Sequence, residues 1–179
     1  FRGLKWSSLE GGTRVPCILR FPDVIPSGEV TDKLTTAIDL LPTLSGACGI
    51  KLKEGSGIAP KLDGLNLWAS LQGKTKIHPR KSLLYWHGWA MPQAIRVGDF
   101  KLYLDKVKEI PGTNKGPALI DLSKDPAEEK DLASEYPEKV KDMKGLAEKL
   151  LSEIEENSIS LGGPANPKKQ SKKGAFWLK

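Results

Sequence analysis

Lys5 stands shortly before Glu10-Gly11-Gly12 in the opening stretch GLKWSSLEGGTRVP, residues 3–16. A lysine ammonium is a compact positive charge with three donors, suited to holding an anionic oxygen. Two adjacent glycines let backbone turn sharply or pass close to another chain segment. Glu10 is placed to pair with a nearby cation. Taken alone, a lysine at this spacing has a competing reading as one more exposed surface charge. A second cluster is Trp86-His87-Gly88-Trp89. Two tryptophans and a histidine in a glycine-containing loop suit stacking against a sugar ring or an aromatic alcohol. The alternative is that Trp86 ends a strand and packs on a helix, with His87 on the surface. Arg96 reads as a residue that holds its hairpin to its neighbours, and Asp63-Gly64 as a turn. Cys17 and Cys48 show no CxxC spacing, and with His78 and His87 widely separated they make no zinc pattern.

These residues need elements to hold them. Residues 15–21 (VPCILRF) form a short apolar, β-rich run stopped by Pro22, and predict a strand buried on both faces of an α/β sheet. Residues 40–48 predict a helix. Asp39 as N-cap puts Pro42 in the first turn, where a missing N–H costs little, and Gly49 closes the end. Residues 51–80 are rich in glycine, proline and lysine and read as a surface excursion with one helical turn near residues 67–71. Strands follow at residues 82–86, 93–97 and 100–104, the last two joined by Gly98-Asp99, and another at residues 118–122, ended by Asp125-Pro126. Such strands predict an antiparallel sheet with one wet face. Residues 137–156 are the clearest helix: proline stands at its first position, and Val140, Met143, Ala147, Leu150 and Ile154 line one stripe. That stripe is expected to pack on the sheet.

Composition narrows the function. The chain has 179 residues and a net charge of +6. Five lysines and no acid lie in residues 164–179, so the basicity belongs to a tail and does not point to nucleic acid. No apolar run approaches the ~18–20 residues of a membrane span.

Five blocks in order, GxKxxxxEGGxRVPxIxRxP, IDLLPTL, LDGLNLWASLQG, AIRVGDFKLY and DLSKDPAEEKDLA, resemble the C-terminal part of the type I, formylglycine-dependent sulfatases of the alkaline-phosphatase-like superfamily. The resemblance runs from residue 3 to about residue 156. It implies an α/β fold ending in a small antiparallel sheet packed against one helix. Residues 1–50 would supply the last strand and helix of the large catalytic domain, and residues 51–80 the connection. Residues 81–163 would form the sheet-and-helix subdomain, and residues 164–179 a basic tail. It also implies hydrolysis of sulfate esters, arylsulfatase-like, in which a formylglycine hydrate attacks sulfur and releases the alcohol. Lys5 matches the lysine that binds the sulfate group. Trp86, His87 and Trp89 are the candidate substrate-binding residues of the smaller domain. The resemblance further implies a calcium ion whose acidic ligands lie outside this chain. The formylglycine precursor sits in a Cys/Ser-x-Pro-x-Arg motif that Cys17, followed by Ile18-Leu19-Arg20, does not match. The chain therefore reads as a C-terminal fragment, inactive alone, from a periplasmic or extracellular enzyme acting on a sulfated small molecule or carbohydrate. A phosphodiesterase or phosphonate hydrolase of the same superfamily and a non-catalytic binding module are the rival readings. The last block carries Asp131 where the family has asparagine; either residue can cap a turn.

Overall fold

The computed structural model describes residues 1–52, 62–87, 91–105 and 116–158, with the side chains of His87 and Met91 excepted. The expected basic tail, Trp89 and residues 53–61 of the connecting excursion lie outside the described residues. The elements in chain order are α1 (Glu10–Thr13), a single 3-10 turn (Ala37–Asp39), α2 (Leu40–Ala47), α3 (Trp68–Leu71), β1 (Ser82–His87), β2 (Met91–Val97), β3 (Phe100–Tyr103), β4 (Ala118–Asp121) and α4 (Pro137–Asn157).

The four strands form one antiparallel sheet in sequence order. Gly98 takes φ +58° at the first position of the two-residue β2–β3 loop, the left-handed geometry a type II′ hairpin requires there. Between β1 and β2 the register slips at Tyr85/Trp86, so that Trp86 faces Pro92 and Gln93 drops out of the ladder. A proline is tolerated in a strand at such a bulge, because the ladder is interrupted there anyway. The outer edge of β4 is covered by the following chain: Leu132 N–H donates to the Leu119 carbonyl (2.8 Å), and Asp131 Oδ1 accepts from the Leu119 N–H (2.9 Å). Asp131 therefore does the bonding expected of a capping residue at that position, and it leaves one less open strand edge.

α4 lies across one face of the sheet. Its Met143 and Ala147 join Ile95, Leu102 and Leu119 in a buried cluster, flanked by Leu84, Val97, Phe100, Val140, Leu146 and Leu150. The stripe read from the sequence is thus the packing face, with Pro137 in the first turn.

Three expectations need correction. The sheet has no wet face: its other side buries Tyr85, Ala94, Tyr103, Ala118, Ile120 and Leu122 against Leu9 of the N-terminal segment. Residues 15–21 form no strand, and Val15, Ile18, Leu19 and Phe21 are exposed. A strand needs hydrogen-bonding neighbours on its edges, and no described residue pairs with this stretch. Finally, Asp39 does not cap α2 with its side chain. Its carboxylate instead accepts from the Thr36 and Leu65 N–H groups (3.1 and 2.8 Å) and from the Arg80 guanidinium, which also donates to the Asp63 carbonyl (2.9 Å). Asp39 thus ties three separate stretches together. The backbone at Asp63-Gly64 passes so close that a Cβ on Gly64 would lie 2.0 Å from the Ile38 carbonyl oxygen. α2 itself ends as expected: Gly49 adopts φ +67° and Ile50 N–H returns to the Ser45 carbonyl (2.8 Å).

Leu119 is fully buried between β3, α4 and the edge-covering segment. Leu119→Ala should lower the stability of the protein by about 2–5 kcal/mol, measured as the shift in urea-unfolding free energy monitored by tryptophan fluorescence.

Candidate functional site

The N-terminal segment is built in two layers, an exposed turn and a buried anchor. The turn spans Leu4, Lys5, Trp6 and Ser7, closed by Ser7 N–H to the Leu4 carbonyl (3.0 Å). Lys5 stands at its second position and is exposed, with Nζ 5.6 Å from the centroid of the Trp6 ring. Trp6, at the third position, has φ +75°. That position of a type II turn favours glycine, and a bulky residue there stores about 1–3 kcal/mol of strain. The strain is held by what lies underneath. Gly12 runs so close beneath the turn that a Cβ on it would sit 2.4 Å from the Ser7 carbonyl oxygen and 2.6 Å from that of Leu4. Gly11 donates its N–H to the Arg2 carbonyl (2.7 Å), and a Cβ there would be 2.4 Å from the same oxygen. The paired glycines are therefore a packing requirement: they let α1 support both ends of the turn that carries Lys5.

The anchor is a buried cluster of charge. Lys101, on the face of β3 away from α4, is fully buried. Its ammonium donates to the Ser8 carbonyl (2.6 Å) and to Glu10 Oε1 (2.8 Å), and lies 3.0 Å from Glu128 Oε1. Glu128 Oε2 accepts from the Glu10 N–H (2.7 Å), and its Oε1 accepts from the Tyr103 hydroxyl (2.6 Å). Arg14 pairs with Glu10 Oε2, and Arg96 Nη1 lies 3.7 Å from the same oxygen. Arg96 also donates from Nε to the Gly98 carbonyl (2.9 Å), the hairpin-holding role expected of it. The Ser8 hydroxyl bonds the Gln93 side chain released by the β1–β2 bulge. Lys101 further lies 4.4 and 5.1 Å from the ring centroids of Tyr85 and Tyr103. All three ammonium protons thus have carbonyl or carboxylate acceptors, which is what makes a buried lysine tolerable.

The electrostatics follow from this geometry. Burial by itself would raise the Glu10 pKa, but Lys101 and Arg14 outweigh it and hold the carboxyl below its ordinary value. Asp39 behaves alike: burial raises its pKa, and the Arg80 guanidinium with the Leu65 and Thr36 N–H groups brings it lower than usual. Burial, reinforced by the Glu10 charge, pushes the Tyr85 hydroxyl up to about 12. Burial and the bond to Glu128 raise that of Tyr103 further. Both tyrosines act as neutral donors.

Glu128 and Lys101 were not singled out by the sequence. On β3 the period-two alternation puts Lys101 and Tyr103 opposite Leu102, on the face expected to be wet, where lysine is ordinary. Glu128 lies in the Asp-Pro turn, where Asp125 Oδ2 accepts from the N–H groups of Glu129 and Lys130 (2.7 and 2.8 Å). That turn gives Glu128 φ +59° and delivers its side chain into the core. The only available signal was the unusual charge density of KDPAEEK itself.

The second candidate cluster is placed differently. Trp86 is 45% exposed and lines a cleft of about 610 Å³ together with Arg80, Lys81, Leu150 and Ile154. His87 ends β1 opposite Met91. Trp86 therefore borders the α4 side of the sheet, whereas Lys5 is carried by the segment on the other side. Among the described residues no group of three or more His, Cys, Asp or Glu could hold a metal ion. No helix among the described residues is long and apolar enough to cross a membrane.

A four-stranded antiparallel sheet backed by one helix is the architecture expected of the C-terminal part of an alkaline-phosphatase-like fold, and solved structures share it. Residues 5–158 match the family described as N-sulphoglucosamine sulphohydrolase, C-terminal, and the chain belongs to that family. Human steryl-sulfatase is 31% identical over 152 residues, covering 72% of this chain and 25% of the relative. The solved structure of Ps i-CgsB superposes with a TM-score of 0.61 at 27% identity, over 79% of this chain and 29% of that one. That of BT4656 in complex with D-glucosamine-2-N,6-O-disulfate shares the fold, with a TM-score of 0.55 at 22% identity over 78% of this chain and 28% of that one. The chain thus spans about a quarter of the length of the curated relative.

The lowered Glu10 pKa fixes a sign. Its unfolded-state value is near the ordinary 4.5 and its native value lies below. Glu10 therefore contributes stability that is fully present above about pH 4.5 and is lost as pH falls through the native value. Glu10→Gln should flatten the loss of urea-unfolding free energy on acidification from about pH 6 to pH 3. An acid limb as steep as that of the unsubstituted protein would show that Glu10 is not paired in the folded state.

Proposed function

We propose that this chain is a portion of a sulfatase that hydrolyses sulfate esters, and that Lys5 is its sulfate-binding residue. The observation that supports this most directly is the presentation of Lys5. Its backbone is pinned from below by Gly11, Gly12 and the Lys101 cluster while its side chain is exposed. An ordinary surface lysine needs no strained turn and no buried ion cluster beneath it. At neutral pH an ammonium is positively charged, so Lys5 would bind a sulfate oxygen and stabilise charge that builds on it as the ester bond breaks. The family description and the human steryl-sulfatase match both favour sulfate over phosphate or phosphonate as the group bound.

The substrate class we propose is a sulfated carbohydrate, because the matching family is described by a sulfated glucosamine. Trp86, half exposed at the rim of its cleft, offers an apolar ring on which a sugar could stack; being on the α4 side of the sheet, it would hold a part of the substrate remote from the sulfate group on Lys5. His87 and Trp89 stay with Trp86 as candidates for that contact on their residue types alone. The nucleophile is not supplied by these 179 residues, which contain no Cys/Ser-x-Pro-x-Arg sequence. Calcium would be held by residues outside them. Action in the periplasm or outside the cell belongs to the same reading.

The 179-residue polypeptide alone should not turn over a chromogenic aryl sulfate, whereas the product of the full coding sequence should. In that product Lys5→Ala should reduce kcat/KM by about 10²–10³-fold, the range for loss of one preorganised electrostatic contact. Trp86→Ala should raise KM for a sulfated sugar with little change in kcat, as loss of uniform binding does. Turnover by the isolated polypeptide, or an undiminished Lys5→Ala enzyme, would defeat this reading.

A further inference from the structure

The Lys5 turn has little of its own to hold it: one backbone hydrogen bond closes it, and Trp6 adopts a left-handed φ that a free turn would relax. Its rigidity is borrowed from Lys101, which is far away in sequence. The route is continuous. Lys101 Nζ bonds the Ser8 carbonyl, one residue after the turn closes, at 2.6 Å. It also bonds the Glu10 side chain at 2.8 Å, while Glu128 takes the Glu10 N–H at 2.7 Å. Tyr103 fixes Glu128 by its hydroxyl at 2.6 Å. Glu128 in turn fixes the near side of the turn, because its carbonyl accepts from Arg2 Nη1 at 3.1 Å. With Ser8 and Glu10 fixed on the sheet, α1 has one available position, and Gly12 then sets both ends of the turn.

We propose that Lys101, acting with Glu10, Glu128 and Tyr103, is a positioning residue that sets where the Lys5 ammonium stands relative to the bound sulfate group. This rests on the reading of Lys5 as the sulfate-binding residue. Lys101 touches no substrate: it is wholly buried on the far side of Ser8. Its contribution is preorganisation, which matters in proportion to how sharply the chemistry depends on the place of the charge. The cluster has to be ionic for a geometric reason. A lysine that reaches one backbone carbonyl and two carboxylates at once fixes three points of the segment with one side chain, which no apolar contact can do.

The test is a double-mutant cycle in the product of the full coding sequence, with a chromogenic aryl sulfate as substrate and inorganic sulfate as competing inhibitor. The single variants are Lys5→Ala, Lys101→Met and Tyr103→Phe. Lys101→Met should lower kcat by up to about 10²-fold, the scale of a misplaced catalytic group, and should weaken inhibition by sulfate. Tyr103→Phe, which removes one hydroxyl without changing shape, should lower kcat by about fivefold, the equivalent of one hydrogen bond. In the Lys5→Ala background neither substitution should lower kcat further, because residues acting through one another are not additive. If Lys5→Ala is impaired and the losses multiply, Lys101 is merely structural: the positioning role is overturned and the reading of Lys5 stands. If Lys5→Ala is unimpaired, both fall. Should Lys101→Met fail to fold, Tyr103→Phe runs through the same cycle, and its additivity with Lys5→Ala decides the matter in the same way.

Discussion

The structure depends on one lysine that is wholly buried. Lys101 sits in the middle of a sheet, and its ammonium is satisfied by a carbonyl and two carboxylates from segments distant in the chain. Transferring that charge from water is costly unless every donor is matched. The matching groups arrive only when the N-terminal segment and the turn after β4 close over the sheet together. Among the described residues no buried side-chain polar atom is left without a partner. The cluster is therefore a condition on the fold as well as a product of it: a structure in which both Glu10 and Glu128 are absent leaves the Lys101 charge uncompensated.

That condition explains why the sheet is covered on both faces by such different material. The α4 face is closed by aliphatic packing, which tolerates small adjustments of position. The Lys101 face mixes Leu9, Tyr85, Ala118 and Ile120 with hydrogen-bonded charge, which does not. Placement of a segment by charge is directional where placement by apolar contact is not. The segment so placed is the one that carries Lys5. Asp39 and Arg80 repeat the device on a smaller scale, fixing α2 to the stretch that leads into β1. In contrast, Val15, Ile18, Val30, Leu41, Leu44 and Ile50 keep much of their apolar surface in solvent. The described residues are thus held firmly around the sheet, while the stretch from Val15 to Ile50 has little apolar cover.

The local physics of most elements is legible in the residues themselves. Alternation and the Gly98-Asp99 pair dictate the β2–β3 hairpin. Pro137 with the apolar stripe dictates α4, and Gly49 with its positive φ ends α2. The family could also be read, because its blocks are short stretches whose types and spacing survive in sequence order. Strand pairing at residues 15–21 was not legible in the same way. An apolar run reports a preference for burial but not whether neighbouring edges are present to bond it.

Sequence alone determined the element types, the helix-packed face of the sheet, the kinship with sulfatases and the choice of Lys5 as the candidate anion-binding residue. Only the tertiary structure decided that Lys101 is buried, that Glu128 is its partner, and that Gly11 and Gly12 underlie the Lys5 turn. The reason is that a charged residue's environment is set by groups far away in the chain. Lys101 and Glu10 are 91 residues apart, and no local pattern encodes that they meet. Hydrophobic periodicity is a property of neighbours in sequence, whereas the pairing of buried charge is a property of neighbours in space.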